Sequence, residues 1–469
     1  MRKIELLIIG AGPAGLAAAI EAVRAGASVT ILDENPRVGG QIFRQLRDGF
    51  VATDPKALGH DYQRGQKMLA EFDSVRSGLE YLEGSLVWGI FENNEVAFLR
   101  GGDSRSVRFR KLIISSGACD RPVPFPGWTL PGVFTAGGAQ SLVKTQRVMP
   151  GENMLLVGSG PLQLALANQI ADAGGKVAAI VEAGRIENWL KLARASWGQW
   201  MLLADAARYG WGIWKAKIPL LRNHIIIEAR GKEQVEEAVV AEVDTDWRPK
   251  PGSERVFAVD TVAVGYGFVP SVELALLAGC DLRYEPLLGG WIPVRDENMK
   301  TNVPDVYAVG DCAGVAGSLV AIDEGRIAGL AAARALGRLP QTETQQRMRP
   351  CRKRLTARNR FRAVLDAISV PRPGLHELSR DDTIICRCRE IPLKEIKKAL
   401  QEGATDVNEI KRRIGIGMGP CQGRMCGPAL LEIAAGEKKE LPANFGYLNP
   451  RPPLKPVPLS VLADHVDLY

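Results

Sequence analysis

The run LLIIGAGPAGLAAA, residues 6–19, decides the fold. It begins inside a short, largely apolar stretch, Ile4–Gly10, of the kind that forms a buried parallel strand. Gly10-Ala11-Gly12-Pro13-Ala14-Gly15 then makes a glycine turn, and the alanine-rich stretch to Gly26 reads as a helix. Ala27–Asp33 is a second strand-like run, so one βαβ unit closes within about 30 residues. Gly10 permits the tight turn, Gly12 lets a pyrophosphate approach the backbone, and Gly15 lets helix and strand pack closely. The helix N-terminus, with Pro13 and Ala14 in its first turn, faces the phosphate charge. Asp33 ends the second strand 23 residues after Gly10, where it is placed to accept a hydrogen bond from a ribose; Glu34 is the fallback. The spacing predicts a dinucleotide site.

A second unit follows 148 residues later, counted from Gly10 to Gly158. Asn153–Val157 reads as a strand, Gly158–Gly160 as a turn, Leu162–Gly174 as a helix and Lys176–Glu182 as a strand. Here Gln163 stands where the third glycine belongs, and should push helix and strand apart or crowd a pyrophosphate. Glu182 is still a ribose acceptor by position. A nicotinamide site, a mononucleotide site and a vestigial site all remain open.

Of the 469 residues, 46% are hydrophobic and 24% charged, which excludes disorder as the main state. The net charge is +7, but residues 347–362 hold eight basic side chains and no acid, leaving −1 for the rest. That local excess does not make a nucleic-acid binder, and it reads as a solvated face or linker. No uncharged apolar run reaches the roughly 18 residues that a membrane span needs. Five of the nine tryptophans, Trp189, Trp197, Trp200, Trp211 and Trp214, crowd into one stretch of helical spacing. It reads either as a core helix pair or as an aromatic surface covered by a partner protein. The histidines His60, His224, His376 and His465 are scattered, and no catalytic acid, base or nucleophile is assigned.

Gly39-Gly40-Gln41 follows the second strand, Ser115-Ser116-Gly117-Ala118 reads as a strand end, and Thr301–Asp311 runs through a strand into Gly310-Asp311. This arrangement resembles the glutathione-reductase-like flavoproteins with two dinucleotide domains. The resemblance implies FAD at the first glycine turn, with Asp311 on the ribityl chain and Gly40, Gln41, Gly117 and Gly310 beside the cofactor. The redox cysteine pair of the disulfide reductases is missing. Cys119, Cys280, Cys312 and Cys351 stand alone and read as small buried side chains.

Cys386-Arg387-Cys388 and Cys421-Gln422-Gly423-Arg424-Met425-Cys426 form a quartet with 32 residues between the pairs. Leu393–Gln401 and Asp406–Ile414 read as helices, the second with Asp406 and Glu409 suited to capping, so the chain folds back and joins the pairs. Four thiolates on ferric iron carry net negative charge, which Arg387, Arg389 and Arg424 offset. The helix starting near Pro428 aims N–H groups at the sulfurs. Zinc is the competitor, but structural zinc sites favour Cys-x(2–4)-Cys. The quartet resembles the 2Fe–2S domain of bacterioferritin-associated ferredoxin (BFD), down to Met418–Pro428.

Flavoprotein body, iron–sulfur domain and the proline-rich end (Arg451-Pro452-Pro453-Leu454-Lys455-Pro456-Val457-Pro458) together resemble the A-type subunits of heteromeric amine and amino-acid dehydrogenases. Opine oxidase, D-hydroxyproline and L-proline dehydrogenases and hydrogen cyanide synthase are of this family, and Gly39–Arg44 and Pro126–Val133 also match it. The resemblance implies an α/β fold of two Rossmann-like domains with a small helical BFD-like domain. It divides the chain as 1–125 (FAD, first part), 126–258 (NAD-like), 259–335 (FAD, second part), 336–379 (basic linker), 380–436 (2Fe–2S) and 437–469 (proline-rich tail). It further implies a catalytic β-subunit with its own FAD, a small third subunit in some members, FMN between subunits, ATP or NAD in place of FAD in others, and a quinone as acceptor. The chain is expected to be cytoplasmic or attached peripherally to a membrane. A free-standing NAD(P)H-dependent flavin reductase and a non-catalytic nucleotide-binding scaffold are the alternatives.

Overall fold

The structure is a computed structural model that describes residues 1–46, 49–50, 60–185 and 189–463, excluding the side chains of residues 60, 61, 189 and 191. His465 and the side chains of His60 and Trp189 therefore lie outside the described residues. The chain forms two compact units, residues 1–118, 270–359 and 449–469 in one and 119–269 and 360–448 in the other.

The first unit is built on a parallel core. β1 (Arg2–Ile9) leads through the glycine turn into α1 (Pro13–Arg24) and β2 (Val29–Leu32). β3 (Leu79–Leu82), β4 (Leu86–Phe91), β5 (Glu95–Arg100) and β6 (Asp103–Ile114) complete a sheet of order β3-β2-β1-β6-β5-β4, and the strand Val306–Ala308 pairs with the far end of β6. Leu6, Leu7 and Ile8 are fully buried, as a strand covered on both faces must be. The helix Ser318–Ala335 lies against α1, with small residues at the contact. A Cβ on Gly325 or Gly329 would come within 2.3 Å of the α1 carbonyl oxygens of Ala14 or Ala18.

The segment expected to be a basic linker is a helix, Gln341–Ser369. Its first half buries Met348, Cys351 and Leu355. Two of its charges share a buried counter-ion, Arg354 and Arg358 both pairing with Asp323, whose side chain is only 1% exposed, while Arg349, Lys353 and Arg360 are exposed, as a solvated face requires. The proline-rich tail lies extended on this same unit. Leu454 N–H donates to the Trp88 carbonyl at 2.8 Å, Leu454 and Val461 are buried, and Lys455 pairs with Glu34.

The second unit has its own parallel sheet. β7 (Val133–Thr135), β8 (Asn153–Gly158), β9 (Lys176–Glu182), β10 (Leu220–Arg222) and β11 (Thr261–Gly265) stand in the order β10-β9-β8-β11-β7. α2 (Pro161–Asp172) follows the second glycine turn, and α3 (Trp189–Ser196) and α4 (Trp200–Lys215) carry the clustered tryptophans, with Trp197 in the turn between them. The core-helix reading of that cluster fails, since Trp197, Trp200, Trp211 and Trp214 are 62–73% exposed. The BFD-like segment contributes a two-strand pairing of Ile384–Cys386 with Ile391–Pro392, then α5 (Leu393–Gln401), α6 (Val407–Ile414) and α7 (Gly427–Lys438). Asp406 caps α6 by accepting from Glu409 N–H at 2.7 Å, and the Glu409 side chain reaches back to Thr405 N–H at 2.9 Å.

Candidate functional site

In the first unit the glycine turn is a close-packed knot. A Cβ on Gly15 would lie 1.9 Å from the Gly10 carbonyl oxygen, and one on Gly10 would lie 2.4 Å from the Ser115 carbonyl oxygen. Pro13 starts α1, and Gly12 at its N-cap makes no such contact, which leaves its backbone open to a ligand. The Gly39–Gln41 loop folds onto this turn: Gly39 N–H donates to the Ala11 carbonyl at 2.8 Å, and a Cβ on Gly40 would meet Gly12 Cα at 2.8 Å. Gln41 is exposed and hydrogen-bonded by Arg44, whose guanidinium burial pulls below its ordinary value.

Gly310-Asp311 arrives at the same place from 300 residues away. A Cβ on Gly310 would lie 2.9 Å from that of Ala14. Gly310 N–H donates to Glu324 at 2.8 Å, and Glu324 is clamped by Arg295 at 2.6 Å. Asp311 accepts from the N–H groups of Ala316 and Gly317 at 2.9 and 3.1 Å, which fixes its carboxylate at the helix approach. Gly117, with φ +73°, follows Ser115, whose hydroxyl donates within this knot to the Ile9 and Gly10 carbonyls. Thus Gly10, Gly12, Pro13, Ala14, Gly15, Gly40, Gly310 and Asp311 share one neighbourhood.

Asp33 is there too, only 6% exposed. Its carboxylate accepts the Ala11 N–H at 2.5 Å and the Asn35 backbone N–H at 2.7 Å. It therefore braces the turn, and retains acceptor capacity for a ribose hydroxyl because a carboxylate offers about four lone-pair sites. Glu34 is bound differently from the sequence reading: it is tied to Lys455 of the tail.

The second glycine turn is filled by the protein itself. Gln163 is 1% exposed, its amide N–H donates to the Gly265 carbonyl, and its carbonyl oxygen is buried without a hydrogen-bond partner. Glu182 accepts from Gly160 N–H at 3.2 Å and Gly184 N–H at 2.8 Å, and burial pushes its carboxyl up to about 7. The Ser159 hydroxyl donates to the Ser369 carbonyl at 2.8 Å. One N–H of the turn, that of Gly160, is taken by Glu182, and the end of the long helix lies over the turn, with Ser369 Oγ 3.3 Å from where a Cβ on Gly160 would stand. Gln163 does not force α2 off the sheet; its buried amide is accommodated against the Gly265 carbonyl.

The four cysteines come together as two pairs. Cys386 and Cys426 share a hydrogen bond, as do Cys388 and Cys421. The Cys386 thiol is pulled down to about 5, first by Cys426 and then by N–H donation from Gly417, Arg389 and Cys388, against burial. Cys426 is pushed up by the same hydrogen bond and by burial, and Cys388 is pushed up by burial. Among the described residues no group of three or more His, Cys, Asp or Glu side chains stands in metal-holding geometry. The thiols are closed into two pairs, with backbone N–H groups already aimed at sulfur. That donor set fits iron: soft thiolates, sulfur-directed N–H groups and surrounding arginines. Gly419 is obligatory, because a Cβ there would lie 2.4 Å from that of Cys388.

Trp128 holds this loop, a role not read from the sequence. Its indole N–H donates to the Ile384 carbonyl at 2.6 Å, and Arg387 stacks over its ring at 5.4 Å. Arg424 donates to the Cys421 carbonyl at 3.4 Å. Leu448 covers the loop's other side, 2.7–3.1 Å from where Cβ atoms on Gly417, Gly423 and Gly427 would stand.

Comparison with known proteins agrees with this geometry. Residues 4–202 and 216–339 match the family described as pyridine nucleotide-disulphide oxidoreductase, and residues 384–435 match the BFD-like [2Fe-2S] binding domain. The chain is 34% identical over 470 residues to the A-type subunit of opine oxidase from Rhizobium meliloti, covering 98% of this chain and 87% of that one. It is 32% identical over 478 residues to the HcnB subunit of hydrogen cyanide synthase from Pseudomonas protegens, covering 98% and 97%. Among solved structures, L-proline dehydrogenase from P. horikoshii shares the fold with a TM-score of 0.71 at 19% identity, over 98% of this chain and 79% of that one.

Proposed function

This chain belongs to the pyridine nucleotide-disulphide oxidoreductase family, on the branch of the opine oxidase A-type and hydrogen cyanide synthase HcnB subunits, and we propose that it is the electron-relaying subunit of a heteromeric amine or amino-acid dehydrogenase. It is an oxidoreductase subunit with a flavoprotein body and a BFD-like [2Fe-2S] domain. Its relatives are subunits of larger enzymes, so it works with partner chains. The finer reading is that substrate is oxidised on a catalytic partner carrying its own FAD, some assemblies include a small third subunit, and a quinone takes the electrons.

The observation that carries the proposal is the quartet with its N–H donors. Cys386, Cys388, Cys421 and Cys426 would hold the two irons, while Gly417, Arg389 and Cys388 N–H groups stabilise thiolate and Trp128 fixes the loop. Gly10, Gly12, Pro13, Ala14, Gly15, Asp33, Gly40, Gln41, Gly117, Gly310 and Asp311 would hold FAD, with Glu34, paired to Lys455, as the fallback ribose acceptor. When bound, the flavin supplies electron-pair chemistry and the cluster single-electron transfer. The filled second glycine turn supports a chain that takes electrons from a partner rather than from NADH.

The test is the native complex, with co-purifying chains and cofactors identified. Cys421→Ser should retain nucleotide, lose the visible absorbance and reduced-state paramagnetic signal of a two-iron centre, and slow transfer to an external dye. Reduction of the partner's flavin by substrate should persist. One zinc and no iron after anaerobic purification would overturn the cluster reading, and robust amine-dependent dye reduction by the isolated chain would overturn the division of labour.

A further inference from the structure

We propose that the outward face of α4, with the adjoining end of α3, seats in the headgroup region of an anionic phospholipid bilayer. The packed side of α4 is defined by contacts within its unit. Ile213 is buried, and the Asn168 side chain of α2 donates to the Tyr209 carbonyl at 3.1 Å. At about 100° per residue, Trp200, Leu203, Trp211 and Trp214 fall on the opposite side of the helix. They form a stripe of large apolar side chains pointing away from the protein, and Trp197 joins it through an edge-to-face contact with Trp200 at 5.5 Å. All exposed tryptophans among the described residues are in this stripe, at 73, 62, 63 and 69% for Trp197, Trp200, Trp211 and Trp214.

Charge selects the occupant. Residues 189–217 carry five basic side chains and one acid, Asp205, in a chain whose remaining excess is confined to residues 347–362. Arg208 and Lys215 sit on one shoulder of the stripe by helical position. The core of a protein interface is depleted of lysine, whereas an in-plane interfacial helix carries Trp and Leu on one face with Lys and Arg beside it. Tryptophan also has an independent preference for the headgroup level. The helix is about 24 Å long, suited to lying in the plane, and no described helix is long and apolar enough to cross a membrane. Residues 203–215 fall between the two matched segments of the oxidoreductase family, so most of α4 is an addition to the shared scaffold.

The experiment is co-sedimentation of the full-length chain and of its native complex with phosphatidylcholine vesicles, with and without phosphatidylglycerol. Association should require phosphatidylglycerol and weaken as salt rises from about 0.05 to about 0.5 M. Trp211→Ser with Trp214→Ser should lower the partition about tenfold or more with an unchanged circular dichroism spectrum, since both rings are mostly solvent-facing. Lys215→Glu with Lys217→Glu should reduce the preference for anionic vesicles about fivefold per residue, and serves if the serine variant folds poorly. Absence of vesicle association by the wild-type chain and complex, or partition unaffected by both variant pairs, would overturn the proposal. So would failure of the serine variant to join its catalytic partner while vesicle association is unchanged, which would make the face a protein interface.

Discussion

Glu182→Gln isolates the charge sealed into the second glycine turn. Burial raises the Glu182 carboxyl from 4.5 to about 7, against N–H donation from Gly184 and Gly160 and the attraction of Arg222. A carboxyl whose folded value lies above its unfolded one favours folding in its protonated form. That advantage is complete below the unfolded value and is lost as pH rises through about 7. At about 1.4 kcal/mol per unit, the ionised side chain costs the second unit at most about 3 kcal/mol at pH 8. Glutamine keeps an acceptor for both N–H groups and carries no charge, so the variant should be the more stable protein at pH 8 and nearly equal at pH 4.5. Seven of the nine tryptophans lie in the second unit, so intrinsic fluorescence during urea unfolding reports mainly on it. Asp366, pushed up to about 6 by burial, titrates in the same window, and His376 is pushed down by burial with the opposite sign. The measured quantity is therefore the difference between the two proteins across pH. A difference that stays flat from pH 5 to 8 would show that the carboxylate is solvated and the turn open to a ligand.

Asp311→Ala should weaken flavin retention about tenfold to a hundredfold, as loss of a charge-assisted hydrogen bond predicts, while Asp305→Ala, which breaks only the Lys111 pair, should retain flavin. Equal flavin content in the two purified variants would refute the assignment of Asp311. Trp128→Phe keeps a ring for Arg387 but removes the donor to Ile384, at a cost of about 1–3 kcal/mol to the loop. Its cluster should be lost faster to an iron chelator and show shifted paramagnetic resonance parameters; identical release kinetics and spectrum would leave Trp128 with a packing role only.

The features legible in the sequence are those whose partners lie close along the chain or repeat a fixed spacing. The first glycine turn carries its own strand and helix. The α6 cap is written in Asp406 and Glu409, four positions inclusive. Even the quartet was readable because each cysteine pair is local and the helices between them fold the chain back. Trp128 was not readable in the same way. Its indole meets a carbonyl 256 residues away, and nothing near Trp128 marks that partner. The helical packing of the basic run was hidden for the same reason: Arg354 and Arg358 share a counter-ion, Asp323, that lies 31 and 35 residues upstream, inside another helix. Helical periodicity placed the α4 tryptophans on one face, but periodicity alone does not say which face is packed.

The second glycine turn shows how far a departure from pattern carries. Loss of the third glycine at Gln163 is visible from spacing alone, and it says only that a dinucleotide would fit poorly. Whether such a turn is empty, distorted or filled depends on where its unsatisfied N–H groups go, because buried backbone donors must find acceptors. Glu182 accepts one of them, from Gly160, together with the Gly184 N–H beyond its own strand, although the same residue at the same strand end would serve a ribose in a working site. The Ser159 hydroxyl is used up by the carbonyl of Ser369, the last residue of the long helix. The identity of the residue at the third glycine position thus fixes less than the long-range supply of acceptors. Restoring glycine at 163 alone should therefore not recover a nicotinamide site, since Glu182 and the Ser369 carbonyl would still occupy the turn.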